Sequence, residues 1–317
     1  MQIGQRQINL GPDKAEAFAE YHVLMTQRKT IRATDPAVVL IDRFLEWVQT
    51  SRAAGAYEWY RMHLASFAAF IGKRLKADEV RPHHVTEWVQ KEHSKSAANT
   101  VHGAMRAVQR VFNWGCKQGY ITVHPLIGLE KPTPTRREMV LDDAEFSAVL
   151  AKATDQAERD LLTTLWETGC RVQEIRLVEA KHFDRAERRW VFPPSKSKGK
   201  QVSRVVYLSD TAFEISKRLA AQHPEGMLFR NRRGRPWTRN AIKCRFRKHG
   251  VKDLCGTVFR HSWITRALMS GVDPITVSVL AGHANLHMVA NRYSHLAKRP
   301  TFLRDQLAKM QPTGLNA

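Results

Sequence analysis

The sequence predicts a mainly α-helical protein with one small β-hairpin or sheet, divided into two domains, and three observations predict it. Between Val38 and about Gly119 apolar residues recur at helical spacing. Between Leu129 and Arg137 two prolines and a charge run break any helix, because proline lacks the N–H and its ring clashes with the preceding turn. Between Arg189 and Leu208 two short alternating segments flank a lysine-rich turn, after which the helical pattern returns to the C-terminus. A chain of 317 residues is long enough for two domains with separate cores.

The elements follow in order. Gln7-Ile8-Asn9-Leu10-Gly11 followed by Asp13-Lys14-Ala15-Glu16-Ala17 suggests a strand leading into a helix, in an N-terminal arm over residues 1–32 that is otherwise a loosely attached tail. Val38, Leu40, Ile41, Phe44, Leu45 and Val48 share one helical face, as do Leu64, Phe67, Ala68 and Ile71, and then Val101, Met105, Val108, Val111, Phe112 and Cys116. Gly55, Arg81-Pro82 and His93-Ser94 separate these helices, and Gly119 closes the last as a C′ residue. The first domain therefore spans 33–131 and the second 137–317, with the break at Pro132 and Pro134. Asp142 or Asp143 caps the first helix of the second domain, and Leu161, Leu162 and Leu165 lie on another that stops at Gly169. The hairpin strands are Arg189-Trp190-Val191-Phe192 and Ser203-Arg204-Val205-Val206-Tyr207-Leu208, joined through Lys196-Ser197-Lys198-Gly199-Lys200.

Charge narrows the function. Lysine and arginine number 51 against 30 acidic residues, a formal net charge of +21, with a pI near 10.2. An excess of that size favours a polyanionic partner through steering and counterion release. A membrane role is disfavoured, since no apolar run reaches the roughly 18 residues of a span and no signal peptide opens the sequence; the expectation is a soluble intracellular protein. Cys116, Cys170, Cys244 and Cys255 form no Cys-x-x-Cys pair, so buried reduced thiols are expected rather than disulfides or a zinc ribbon. His83-His84 and the pair His283 and His287 lack a cysteine or carboxylate at metal-ligand spacing, so no metal is expected.

Four separated motifs carry the chemistry: Thr168-Gly169-Cys170-Arg171-Val172-Gln173-Glu174, then Arg260-His261, then Leu280-Ala281-Gly282-His283, then Asn291-Arg292-Tyr293-Ser294-His295. Phosphodiester transfer passes through a pentacoordinate phosphorus whose oxygens gain negative charge, and permanently charged arginines that grip two oxygens suit it. Two arginines, a histidine and a late tyrosine in this order resemble the tyrosine recombinase, or phage integrase, family. The resemblance runs from about Val38 to Leu296. Arg61-Met62-His63-Leu64-Ala65-Ser66-Phe67 and Val108-Gln109-Arg110-Val111-Phe112-Asn113-Trp114 resemble the family's SAM-like, core-binding helical domain. Residues 1–32 resemble the remnant of an arm-type DNA-binding segment, and 137–317 the catalytic domain.

The resemblance implies roles. Arg171 and Arg260 clamp the scissile phosphate, Glu174 supports its neighbours without reacting, His283 hydrogen-bonds the phosphate, and Tyr293 is the nucleophile. A lysine of the hairpin turn is the general acid, with Lys198 preferred and Lys196 and Lys200 as alternatives. Thr257 departs from the family's usual His-x-x-Arg: threonine donates a hydrogen bond but is no base near neutral pH. His261 does not replace that histidine, because adjacent helical residues diverge by about 100°. Tyr293 follows His283 by ten residues, one more than the commonest spacing. The implied activity is site-specific recombination of double-stranded DNA through a 3′-phosphotyrosyl intermediate, for a phage or other mobile element, by a monomer that assembles as a homotetramer on DNA. No cofactor or metal is implied, and the expected location is the bacterial cytoplasm, with the nucleoid. The alternatives are a DNA-binding protein of the same fold without strand exchange and a type IB topoisomerase.

Overall fold

The computed structural model describes residues 2–3, 6–7, 13, 32–135, 139–194, 203–283 and 304. The chain divides into two compact units, Met1–Arg137 and Glu138–Ala317.

In the first unit four helices, α1 (Ala37–Ser51), α2 (Ala54–Ile71), α3 (Pro82–Glu92) and α4 (Ala98–Lys117), supply one core. Leu40, Ile41 and Phe44 of α1 meet Leu64 and Phe67 of α2, Trp88 of α3 and Phe112 of α4, all buried. Trp88 keeps its indole N–H satisfied by donating to Ser66 Oγ at 3.0 Å. Pro82 stands at N1 of α3, where its missing N–H costs nothing. Gly119, φ 75°, follows the end of α4 as expected. Gly55, expected between helices, lies instead in the first turn of α2, and the break falls at Arg52 and Ala53. First-turn N–H groups have no partner four residues back, so a glycine there disturbs little. At the N-terminus β1 (Gln2–Ile3) pairs antiparallel with β2 (Arg6–Gln7). The expected strand at Gln7 thus begins earlier, and the helix expected after Asp13 lies outside the described residues. The proline segment is tied to α4: Asn99 Nδ2 donates to the Thr135 carbonyl at 2.8 Å, and His102 Nδ1 lies 2.9 Å from the Pro132 carbonyl.

The second unit opens with α5 (Asp143–Ala151), capped by Asp142, whose carboxylate accepts from the Glu145 N–H at 2.8 Å while Glu145 reaches back at 2.9 Å. Next come α6 (Gln156–Thr168) and the short α7 (Val172–Leu177). The sheet has three antiparallel strands in the order β3 (Phe183–Asp184), β4 (Arg189–Phe192) and β5 (Arg204–Tyr207). The sequence pattern showed only the last two, because two residues are too few to display alternation. Trp190 and Phe192 of β4, and Arg204 and Val206 of β5, face inward. Among the described residues four helices follow: α8 (Asp210–Gln222), α9 (Arg239–Lys248), α10 (Gly256–Met269) and α11 (Pro274–Ala281). The core joins Leu161, Leu162, Leu165 and Trp166 of α6 to Ile175, Trp190, Phe229 and Phe259. Arg266 lies over the Trp166 ring at 3.7 Å.

All four cysteines lie among the described residues and form no disulfide; Cys170 is buried, Cys116 and Cys255 are half-buried, and Cys244 is exposed, against the expectation of four buried thiols. Among the described residues no helix is long and apolar enough to cross a membrane.

Candidate active site

Arg171 is placed by a sharp junction between helices. Thr168 ends α6, and Gly169 turns the chain in the left-handed conformation with φ 57°. A Cβ at Gly169 would stand 2.7 Å from the Trp263 ring, so glycine is required by packing as well as by φ. Arg171 then becomes the N-cap of α7. Its backbone N–H donates to Glu174 Oε2 at 2.8 Å, and its Nη1 to Glu174 Oε1 at 2.7 Å. The pairing follows from the cap: Arg171 precedes the helix, and Glu174, at N3, reaches back to it.

Arg260 lies on α10, only 7% exposed. Nη1 donates to the Gly169 carbonyl at 3.0 Å and Nη2 to the Ala281 carbonyl at 2.5 Å. Burial, then the neighbouring charge of Arg171, push its pKa down to about 10, which leaves it cationic at neutral pH. Thr257 sits one turn earlier on the same helix face. Both open on a cavity of about 360 Å³ that Arg171, Gln173, Arg176 and Arg239 also line, and among the described residues no carboxylate lines it.

The C-terminal end of α11 closes the arrangement. Arg204 Nη1 donates to the Leu280 carbonyl at 3.0 Å, Arg260 to that of Ala281 and Arg171 Nη2 to that of Gly282 at 2.8 Å. Three guanidiniums thus take up carbonyls that a helix end leaves without internal partners, at the negative end of its dipole. Gly282 is the left-handed C-cap, φ 67°, and the His283 N–H returns to the Ser278 carbonyl at 2.9 Å. Burial would raise the Glu174 pKa, but the charge of Arg204 and the hydrogen bonds from Arg171 outweigh it and hold the carboxyl below its ordinary value. Burial pushes the Cys170 thiol up to about 12, so it stays protonated beside the arginines.

The phage integrase family model matches residues 140–299, half of the chain and every residue of this arrangement. The chain belongs to the phage integrase family of tyrosine recombinases. A tyrosine recombinase XerD of Ralstonia nicotianae is 24% identical over 315 residues, covering 92% of this chain and all of that protein. A Tn1549 transposon integrase in complex with a circular intermediate DNA superposes with TM-score 0.69 at 15% identity, covering 87% of this chain and 100% of that one. A lambda integrase tetramer bound to a Holliday junction gives 0.66 at 12%, covering 90% and 89%. At such identities the structural likeness establishes the fold.

Within this tyrosine recombinase the structure brings Arg171, Glu174, Thr257 and Arg260 together and sets the His283 backbone beside them. Lys196, Lys198, Lys200 and Tyr293 lie outside the described residues. His261 is buried and does not line the cavity. Among the described residues no group of three or more histidines, cysteines and carboxylates could hold a metal. Sequence reasoning missed Arg176, Arg239 and Arg204. The first two are inconspicuous in so basic a chain. Arg204 did carry a signal: it is in phase with Val206 on β5, so alternation places a charge on the inward face.

Proposed function

We propose that this recombinase cuts and rejoins duplex DNA at a specific site through a 3′-phosphotyrosyl intermediate on Tyr293, in the service of a phage or other mobile element. The observation that carries the reading is the arginine-lined cavity: Arg171, Arg260 and Thr257 face one space that, among the described residues, no carboxylate lines. The nearby acid, Glu174, is occupied by Arg171 and Arg204. Such a space attracts a phosphate and stabilises the charge that grows on its oxygens.

In the proposed reaction the Tyr293 oxygen attacks phosphorus as the bond to the 5′ oxygen breaks. The departing electron pair is neutralised by a proton from a hairpin lysine, Lys198 or else Lys196 or Lys200. Arg171 and Arg260 hold the nonbridging oxygens, Thr257 and His283 donate hydrogen bonds, and the phenolic proton passes to water. Attack of a 5′ hydroxyl on the phosphotyrosine reverses the step on a new strand. The linkage conserves the phosphodiester energy, so neither nucleotide nor metal is required. We assign DNA-core binding to residues 33–131, catalysis to 137–317 and an arm role to 1–32. The working form is a homotetramer on DNA, assembled from monomers in the cytoplasm on nucleoid DNA. The likeness to the lambda integrase tetramer on a Holliday junction supports this assembly.

The test is a nicked suicide substrate in the presence of EDTA. Wild type should yield protein-linked DNA mapping to Tyr293 at a 3′ phosphate, and Tyr293→Phe should bind the site but form no adduct. A 5′ linkage, chelator sensitivity, or an adduct in Tyr293→Phe would defeat the mechanism. Thr257 in place of histidine favours one competing reading, a DNA-binding protein without strand exchange, and normal site binding with no wild-type adduct would establish it. Supercoil relaxation by a monomer would indicate a topoisomerase.

A further inference from the structure

We propose that Arg204 is a positioning residue for phosphate activation: it holds Glu174 and the end of α11 so that Arg171 stays free to grip phosphate, and Gly282 is glycine to admit its guanidinium. The inference rests on the recombinase reading of the same site.

Arg204 lies opposite Phe192 in the sheet and points inward, 9% exposed. A charge in that position is costly unless bonded. Nε donates to Glu174 Oε1 at 3.1 Å, and Nη1 donates to the Leu280 carbonyl at 3.0 Å and to the Val205 carbonyl at 2.5 Å. Nη2 is buried with no hydrogen-bond partner among the described residues. One carboxylate oxygen, Glu174 Oε1, is therefore shared between Arg204 and Arg171. Without Arg204 the whole charge of Glu174 would fall on Arg171, lowering the positive potential that the cavity offers a phosphate.

The second connection is steric. A Cβ on Gly282 would stand 2.5 Å from Arg204 Cζ and Nη1 and 2.6 Å from Nε. The guanidinium occupies the place of the missing side chain, against the residue that precedes His283 and whose carbonyl receives Arg171. Arg204 thus bridges the carboxylate that orients Arg171 and the helix end that carries His283, and strand β5 packs on α11.

The test uses the full-length protein with Arg204→Ala, Arg204→Lys and Gly282→Ala, in single-turnover cleavage of the suicide substrate alongside half-site affinity and thermal melting. Arg204→Ala should slow cleavage by about a hundredfold, the effect of an ångström of misplacement, with half-site affinity unchanged. Arg204→Lys, which keeps the charge without the fork, should lie between it and wild type. Gly282→Ala should impair cleavage, and the loss should be smaller in the Arg204→Ala background than alone, because the clash is gone. A substrate with sulfur at the 5′ bridging position, which leaves without a proton, should not rescue Arg204→Ala. Wild-type cleavage by Arg204→Ala, additive losses in the double variant, or rescue by sulfur would each overturn the proposal, the last by showing that Arg204 serves the hairpin lysine.

Inorganic phosphate gives an arm independent of strand cleavage. It should raise the melting temperature of wild type more than that of Arg204→Lys or Arg204→Ala, and equal shifts would overturn the proposal. Absence of any wild-type adduct would sink the recombinase reading alone, and the phosphate arm would still decide the role of Arg204. Should Arg204→Ala fail to fold, Arg204→Lys and Gly282→Ala carry both arms.

Discussion

The second unit holds two buried ionic clusters of opposite design. Around Glu174 two arginines, Arg171 and Arg204, share one carboxylate, while Arg260 beside them donates only to backbone carbonyls. Around Glu158, 2% exposed, the balance is reversed. Arg245 gives Nη1 to Glu158 at 2.9 Å and Nη2 to Asp155 at 3.2 Å, His249 Nε2 lies 3.2 Å from Glu158 Oε1, and the Thr154 N–H donates at 3.1 Å. The Glu158 cluster satisfies its own charges and ties the start of α6 to α9. The Glu174 cluster keeps an excess of positive charge, and two of its arginines line a cavity. Burial of charged groups therefore does not mark a site; unbalanced charge facing open space does.

The largest effect that would break this contrast is on stability. Glu158→Ala removes the buried carboxylate that Arg245 and His249 share and should cost about 3–5 kcal/mol, as removal of one partner of a buried pair does. Urea unfolding measures this, and cleavage per folded molecule should be unchanged; a loss below 1 kcal/mol would show that the cluster is not a fastener. Arg171→Ala and Arg260→Ala should behave inversely. Each should lower the single-turnover cleavage rate by roughly 3–4 kcal/mol if it acts as an oxyanion-hole donor does. A loss confined to DNA affinity would place the arginines outside the transition state.

Acid sharpens the comparison. The folded-state pKa of Glu174 lies below its ordinary 4.5, chiefly because Arg204 and Arg171 outweigh its burial. Its contribution to stability is present above that ordinary value and is lost as pH falls through the lower, folded one. Stability should therefore drop below about pH 4.5, and more gently in Glu174→Gln than in wild type; identical acid limbs in urea titrations at stepped pH would refute it. The smallest effect expected is that of Thr257→His. Thr257 is exposed in the cavity, so histidine there should leave folding and DNA affinity unaltered and either raise cleavage or leave it as it is. A large drop in melting temperature would mean that the cavity does not have the family's geometry.

Much of this could be read from the chain alone. Helical periodicity marked α1, α2 and α4 because a 3.6-residue repeat records which face is buried. Asp142, Gly169 and Gly119 marked helix ends, since caps and left-handed turns depend on residues a few positions apart. The motifs pointed to Arg171, Glu174 and Arg260, which the structure brings together, to His283 beside them and to Tyr293, outside the described residues, and the charge of +21 pointed to a polyanion. Tertiary structure decided what local pattern does not encode. It added β3, which is too short to show a period, and set Arg171 at the N-cap of α7. It put Arg176 and Arg239 beside Arg171 and Arg260 and bound Arg204 to Glu174, pairings between segments far apart in sequence. Above all it brought Arg171, Arg204 and Arg260 onto three successive carbonyls at the end of α11, a convergence set only when β5, α7 and α10 pack around that helix end.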